Sequence, residues 1–146
     1  MKKTIKSIEE MSELSKDIIK AMEEGDVFAL VGDLGAGKTT LVSLILKNLD
    51  YPEVVSSPTF SIANIYDTKP RINHLDLYRL ESEEEIESFE YEEYFYPDSS
   101  ITFIEWPSMA ESYLPRDIIY IDIKTLDLDT REITISKNFS ERMEIL

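Results

Sequence analysis

The sequence predicts an α/β fold in which strands and helices alternate and an antiparallel hairpin closes the chain. Three observations predict it. Gly32-Asp33-Leu34-Gly35-Ala36-Gly37-Lys38-Thr39 satisfies every fixed position of G-x-x-x-x-G-K-[ST], the phosphate-binding loop. That loop sits in the frame it requires, with the apolar run Val27-Phe28-Ala29-Leu30-Val31 before it and Leu41, Val42, Leu44, Ile45 and Leu46 at helical spacing after it. A second apolar run, Ile101-Thr102-Phe103-Ile104, ends in Glu105, the shape of a buried strand that delivers a carboxylate to the crevice where such sheets hold ligand. Together they define a P-loop NTPase-like domain spanning residues 1–146.

In chain order, Thr4-Ile5 reads as a short first strand. Ser7 followed by Glu10 is a capping box. Ile8, Met11, Leu14, Ile18 and Met22 then recur at spacings of three and four, one helix face, with Gly25 as its stop. In the loop, glycines let successive N–H groups curl inward as an anion nest, and the following helix adds its positive end. Lys38 supplies a mobile charge for terminal phosphates, and the Thr39 hydroxyl is a ligand for Mg²⁺.

Beyond Leu49-Asp50-Tyr51-Pro52, the segment Ser57-Pro58-Thr59-Phe60 fits two readings. It is either a switch whose threonine senses the terminal phosphate or an ordinary proline turn. Ile62 to Tyr66 reads as a strand, Asp67 to Pro70 as a turn, and Arg71 to Leu80 as an apolar-rich segment carrying Asp76. Asp76 is suited to a metal or its water, and equally to capping the turn or pairing with Arg79. His74, the only histidine, reads as structural rather than catalytic. Residues 81–93 hold eight acids and no base, a solvated helical segment over one sheet edge or a docking surface. Trp106-Pro107 turns the chain after Glu105. Ile119, Ile121 and Ile123 alternate, as do Ile133 and Ile135, and the turn between them makes the closing hairpin. Asn138 to Leu146 is a short helix or a tail.

Composition limits what the chain can do. Its 146 residues point to one domain. With no cysteine and one histidine, it has no disulfide framework, no thiolate site and no histidine-rich metal centre. No apolar run reaches transmembrane length and no signal peptide opens it, so a soluble cytoplasmic protein that avoids membranes is the expectation. A net charge of −15 argues against gripping a nucleic acid backbone directly; it suits a basic protein partner and equally serves only to keep the protein in solution.

The phosphate loop with Thr40, Ser57-Pro58-Thr59-Phe60, His74-Leu75-Asp76-Leu77-Tyr78-Arg79-Leu80 and Ile104-Glu105-Trp106-Pro107, in that order in so short a chain, resemble the TsaE (YjeE) family. These are bacterial ATPases of tRNA threonylcarbamoyladenosine biosynthesis. The resemblance implies a small α/β domain with a mixed, largely parallel sheet flanked by helices. It implies slow ATP hydrolysis with Mg²⁺ that depends on the TsaB–TsaD heterodimer and lets that complex modify tRNA over multiple turnovers. tRNA would then be met only through the complex.

Carried over, the loop backbone at Asp33, Leu34, Gly35, Ala36 and Gly37, with Lys38, Thr39 and Thr40, binds ATP. Thr39, Glu105 and Asp76 serve the metal, and Lys38, Asp76, Glu105 and the switch residue Thr59 are catalytic. Trp106 supports the site or a partner surface, and Arg131 approaches the adenine. Arg79 is the candidate arginine finger, and without one turnover is slow until a partner completes the site.

Other classes fit less well. A small-molecule kinase needs an acceptor pocket and an arginine-bearing lid, for which the chain has few arginines and little length. A regulatory GTPase carries N-K-x-D, and Lys47-Asn48-Leu49-Asp50 is not that motif. A nucleotide-bound scaffold shares the same cradle and is separated only by measuring turnover.

Overall fold

A computed structural model describes residues 1–53, 55 and 62–145. Seven strands form one sheet: β1 (Lys2–Ile5), β2 (Val27–Val31), β3 (Ala63–Tyr66), β4 (Ile72–Asp76), β5 (Ile101–Glu105), β6 (Ile119–Thr125) and β7 (Arg131–Ile135). Their order across the sheet is β1-β7-β6-β2-β5-β4-β3. The four central strands, β6, β2, β5 and β4, are parallel, and the outer pairs are antiparallel. The mixed, largely parallel sheet and the β6–β7 hairpin match the expectation. β2 is apolar throughout, and β5 is buried along its whole length with Thr102 and the terminal Glu105 as its polar residues, because a parallel central strand is covered on both faces.

One face packs on the α-helices. These are α1 (Ile8–Ala21), α2 (Lys38–Asn48) and α4 (Lys137–Glu144), with the four-residue α3 (Glu92–Phe95) elsewhere. Phe28 of β2 stacks on Phe103 of β5 at 4.7 Å between centroids and meets Phe139 of α4 edge-on at 5.1 Å. Each such buried ring stabilises the fold by about 1.5–3 kcal/mol. α1 begins as the capping box predicts, the Ser7 Oγ accepting from the Glu10 N–H at 3.1 Å. Arg142 of α4 ties down the α1–β2 connection with two bonds to Asp26, 2.8 and 2.9 Å.

Several expectations need correction. α1 ends at Ala21, before Gly25, which instead takes φ +95° in the turn that enters β2. Ile8 is exposed, on the rim of a cavity beside the loop rather than in the core. The acidic stretch is not one helix on a sheet edge. It is a 3₁₀ turn (Glu83–Ser88) followed by α3. Ile86 and Phe89 within the stretch, and Phe95 just beyond it, pack in one cluster with Leu75, Ile104 and Ala29 on the second sheet face, which leaves most of its acids exposed. The third strand begins at Ala63, and 137–144 is helical. Ser57-Pro58-Thr59-Phe60, with the candidate switch threonine, lies outside the described residues. Among the described residues no helix is long and apolar enough to cross a membrane.

Candidate active site

The site lies at the carboxyl ends of β2, β4 and β5, where the central parallel strands deliver their last residues. The loop leaves β2 at Gly32. A Cβ there would come within 2.6 Å of the Ile123 carbonyl oxygen of β6, so this glycine is required by space. Gly35 and Gly37 have open surroundings but φ of +80° and +114°, so they are required by conformation. The Ala36 N–H donates to the Asp33 carbonyl at 3.0 Å, closing the turn. Gly37 opens α2 with no side-chain cap, the arrangement that presents a helix N-terminus to an anion. Asp33, Leu34 and Gly35 are exposed at the loop tip, and Ala36 is buried.

Lys38 is only 4% exposed. Its ammonium donates to the Gly32 carbonyl at 2.7 Å and lies 3.6 Å from the centroid of the Trp106 ring. Burial lowers its pKa against the opposing pull of Glu105, Asp76 and Asp33. Trp106 reaches this place because its backbone is left-handed, φ 60°, which reverses the chain straight after β5. Tyr78 braces the indole at 4.9 Å.

Glu105, 3% exposed, is the hub of the carboxylate side. Its Oε2 accepts from the Thr39 Oγ1 at 2.9 Å and from the His74 Nε2 at 2.5 Å. Parallel pairing sets Asp76 beside Glu105. These neighbouring acids differ. Burial raises Asp76 above the usual carboxylate range, against a hydrogen bond from the Tyr78 N–H. Burial also pushes Glu105 up, but the bonds from His74 and Thr39 and the charge of Lys38 outweigh it and hold Glu105 below its usual range. Divergent pKa values in adjoining acids are a mark of divided roles.

Lys38, Thr39, Thr40, Asp76 and Glu105 line one groove of about 190 Å³, with Leu34 and Tyr78 at its edge. A cavity of about 530 Å³ on the other side of the loop is lined by Lys6, Ser7, Met11, Gly35, Thr40 and Arg131. Arg131 is thus beside the loop, where its Nε donates to the Ala36 carbonyl at 2.8 Å and its Nη1 to the Asp127 carbonyl at 3.0 Å. Arg79 is exposed in the turn after β4.

The sequence brought forward Lys38, Thr39, Asp76 and Glu105, and the fold brings these four together. It read His74 as structural, and the fold places that buried ring against Glu105. The available signal was period two: His74 precedes Asp76 by two positions in a strand, so both side chains share a face.

The family model for "Threonylcarbamoyl adenosine biosynthesis protein TsaE" matches residues 5–133. The chain belongs to the TsaE family. Among TsaE relatives, the tRNA threonylcarbamoyladenosine biosynthesis protein TsaE of Bacillus subtilis is 37% identical over 88% of this chain and 80% of its own length. The Aquifex aeolicus TsaE is 36% identical over 90% of this chain and 92% of its own. A crystal structure of Bacillus subtilis YdiB superposes with a TM-score of 0.81 at 30% identity, covering 99% of this chain and 92% of that one. The TsaE match takes in the loop, Asp76, Glu105 and Arg131, so every site residue described above lies inside the family segment.

Proposed function

We propose that this chain is a Mg²⁺-dependent ATPase of tRNA threonylcarbamoyladenosine biosynthesis, slow alone and faster on the TsaB–TsaD heterodimer, and that its hydrolysis lets that complex turn over repeatedly on tRNA. The observation that carries the reading is the convergence of Lys38, Thr39, Asp76 and Glu105 on one groove beneath a phosphate-binding loop. The names borne by the TsaE relatives supply the pathway.

The donor set fits Mg²⁺. Among the described residues no group of three or more His, Asp or Glu is placed to hold a metal ion. Mg²⁺ needs no such cage, since it takes one or two protein oxygens and completes its shell with phosphate and water. Thr39 and Glu105 would hold it, with Asp76 bound directly or through water. Once bound, it would neutralise charge on the phosphate oxygens.

The chain's own residues do the rest. The loop N–H groups cradle the phosphates. Lys38 moves from the Trp106 ring and the Gly32 carbonyl to the terminal phosphates. Asp76 orients the attacking water, and the cavity beside Ser7, Met11 and Arg131 receives the nucleoside. A ligand that moves Lys38 also moves its contact with Trp106, which couples the site to the surface around Tyr78. With a net charge of −15, the chain meets tRNA through its partners in the cytoplasm and needs no membrane.

The test is a reconstituted modification reaction with threonylcarbamoyl-adenylate, tRNA, TsaB–TsaD and ATP. Product accumulates over many cycles with this chain and stops near a single turnover without it. ATP turnover in parallel separates an ATPase from a scaffold. Equal product with and without the chain rejects the reading.

A further inference from the structure

We propose that His74 is a positioning residue for Glu105, fixing one carboxylate oxygen so that the acid faces the phosphate groove in a single orientation. The inference rests on the reading of Glu105 as the carboxylate that serves the metal. Nothing in the family match or the names of relatives assigns His74 a role.

The placement follows from the sheet. β4 and β5 pair in parallel with Asp76 beside Glu105 and His74 beside Phe103. Side chains alternate along a strand, so His74 and Asp76 rise on the same face, one behind the other. The His74 ring, fully buried, then reaches diagonally forward to the Glu105 Oε2. Glu105 is the last residue of β5, and the chain turns away at the left-handed Trp106. Its long side chain therefore depends on donors from elsewhere. Two supply them on one oxygen, His74 from β4 and Thr39 from the first turn of α2.

The choice of imidazole has a chemical reason. A carboxylate oxygen accepts, so Nε2 carries the ring hydrogen. Nδ1 is buried and has no hydrogen-bond partner among the described residues, so a second hydrogen there would be a donor with no acceptor. A lysine or arginine in its place would also hold Glu105, but would cancel the negative charge that a divalent cation needs. A ring nitrogen on one oxygen orients the carboxylate without placing an ammonium or guanidinium beside it. Partners that orient metal-binding side chains contribute about 10- to 100-fold in metal affinity or activity when removed.

The experiment compares the parent with His74→Leu and His74→Gln in the full chain. The glutamine amide places a donor close to the position of Nε2, and leucine places none. His74→Leu is expected to keep its affinity for a fluorescent ATP analogue without Mg²⁺ within about threefold. With TsaB–TsaD, it is expected to lose about 10- to 100-fold in kcat and to require more Mg²⁺. His74→Gln recovers most of both, with the KM for ATP little changed throughout. Parental kcat and Mg²⁺ requirement in His74→Leu would overturn the proposal. Equal loss in both variants would overturn it as well, because packing alone would then explain the residue.

A second measurement needs no activity. His74 is the only histidine, so its ¹⁵N imidazole signals are assigned at once. They are expected to show a hydrogen on Nε2 that exchanges slowly with water and becomes fast in Glu105→Ala. A ring indifferent to Glu105→Ala rejects the contact. If the parent fails to hydrolyse ATP, the proposed function falls and these signals still decide whether His74 holds Glu105.

Discussion

The two halves of the site are built over different distances along the chain. The loop half is local. The Ala36 N–H reaches back to Asp33, and Lys38 reaches back six residues to Gly32. The carboxylate half is assembled from remote pieces, with Thr39 and Glu105 separated by 66 positions and His74 and Glu105 by 31. A local turn is encoded by residues that permit its backbone angles. An assembled cluster exists only while β2, β4 and β5 hold their register. Under the proposed function the difference would separate the tasks, with binding of phosphates at the loop and placement of metal and water at the strand ends.

Crossed substitutions are the strongest way to break this division. Glu105→Ala is expected to lower ATP hydrolysis by at least about 100-fold while keeping ATP affinity within about threefold, since contacts to metal and water matter most in the transition state. Lys38→Ala is expected to weaken ATP binding itself by about 10- to 100-fold, as charge-assisted phosphate contacts are among the stronger polar bonds. Titration with a fluorescent analogue and steady-state turnover read the two effects. If Glu105→Ala weakens binding as much as Lys38→Ala does, the halves are not separable.

Within the loop, glycines sharpen the comparison, because two of them are needed for different reasons. Gly32→Ala should destabilise the fold by about 1–3 kcal/mol, the cost of forcing atoms into a packed place, because its Cβ meets the Ile123 carbonyl. Gly35→Ala should cost about 1–2 kcal/mol through its left-handed backbone alone. Asparagine, which tolerates that conformation, should recover much of the loss at Gly35 and none at Gly32. Urea melts measure both. Equal behaviour of the two asparagine variants would refute the distinction.

The smallest effect expected is in the pH dependence of stability, where Asp76 and Glu105 should differ in sign. Asp76 is raised from 3.8 by burial, so its charged form is disfavoured in the folded state. That cost is absent below 3.8 and complete once the pH exceeds the raised value. Asp76→Asn should therefore stabilise the protein at neutral pH, with the gain fading in acid. Glu105 lies below 4.5 in the folded state. Its contribution is present above 4.5 and lost as the pH falls through the lowered value, so Glu105→Gln should cost stability at neutral pH and less in acid. Melts of both variants across the acid range check the signs.

His74 and Trp106 show where legibility ends. Both stand next to recognised motif residues, yet their contacts could not be read from spacing. A lone histidine in an apolar strand is compatible with any core, and its bond to Glu105 needs β4 beside β5 in parallel. The Trp106 ring meets Lys38 only because the backbone between them turns left-handed and the loop folds back. Gly32 was legible as part of a motif, but its reason, the Ile123 carbonyl, lies on a strand some ninety residues away. The acidic stretch misled for a similar cause. Its composition announced solvent, and most of its acids are indeed exposed, but whether Ile86, Phe89 and Phe95 cover a sheet edge or a sheet face depends on which strands lie beneath them.

By itself the sequence determined the phosphate loop, the alternation of strands and helices, the capped start of α1 and the closing hairpin, and it named the four residues that the fold gathers in one groove. Each depends on neighbours within a few positions or on a strict period, and short-range sterics and hydrophobic patterning act on those alone. Tertiary structure decided the strand order, the parking of Lys38 on Trp106 and the gathering of Thr39 and His74 on one oxygen of Glu105. Those contacts join residues far apart in the chain, and their geometry depends on which strands become neighbours when the sheet closes its core.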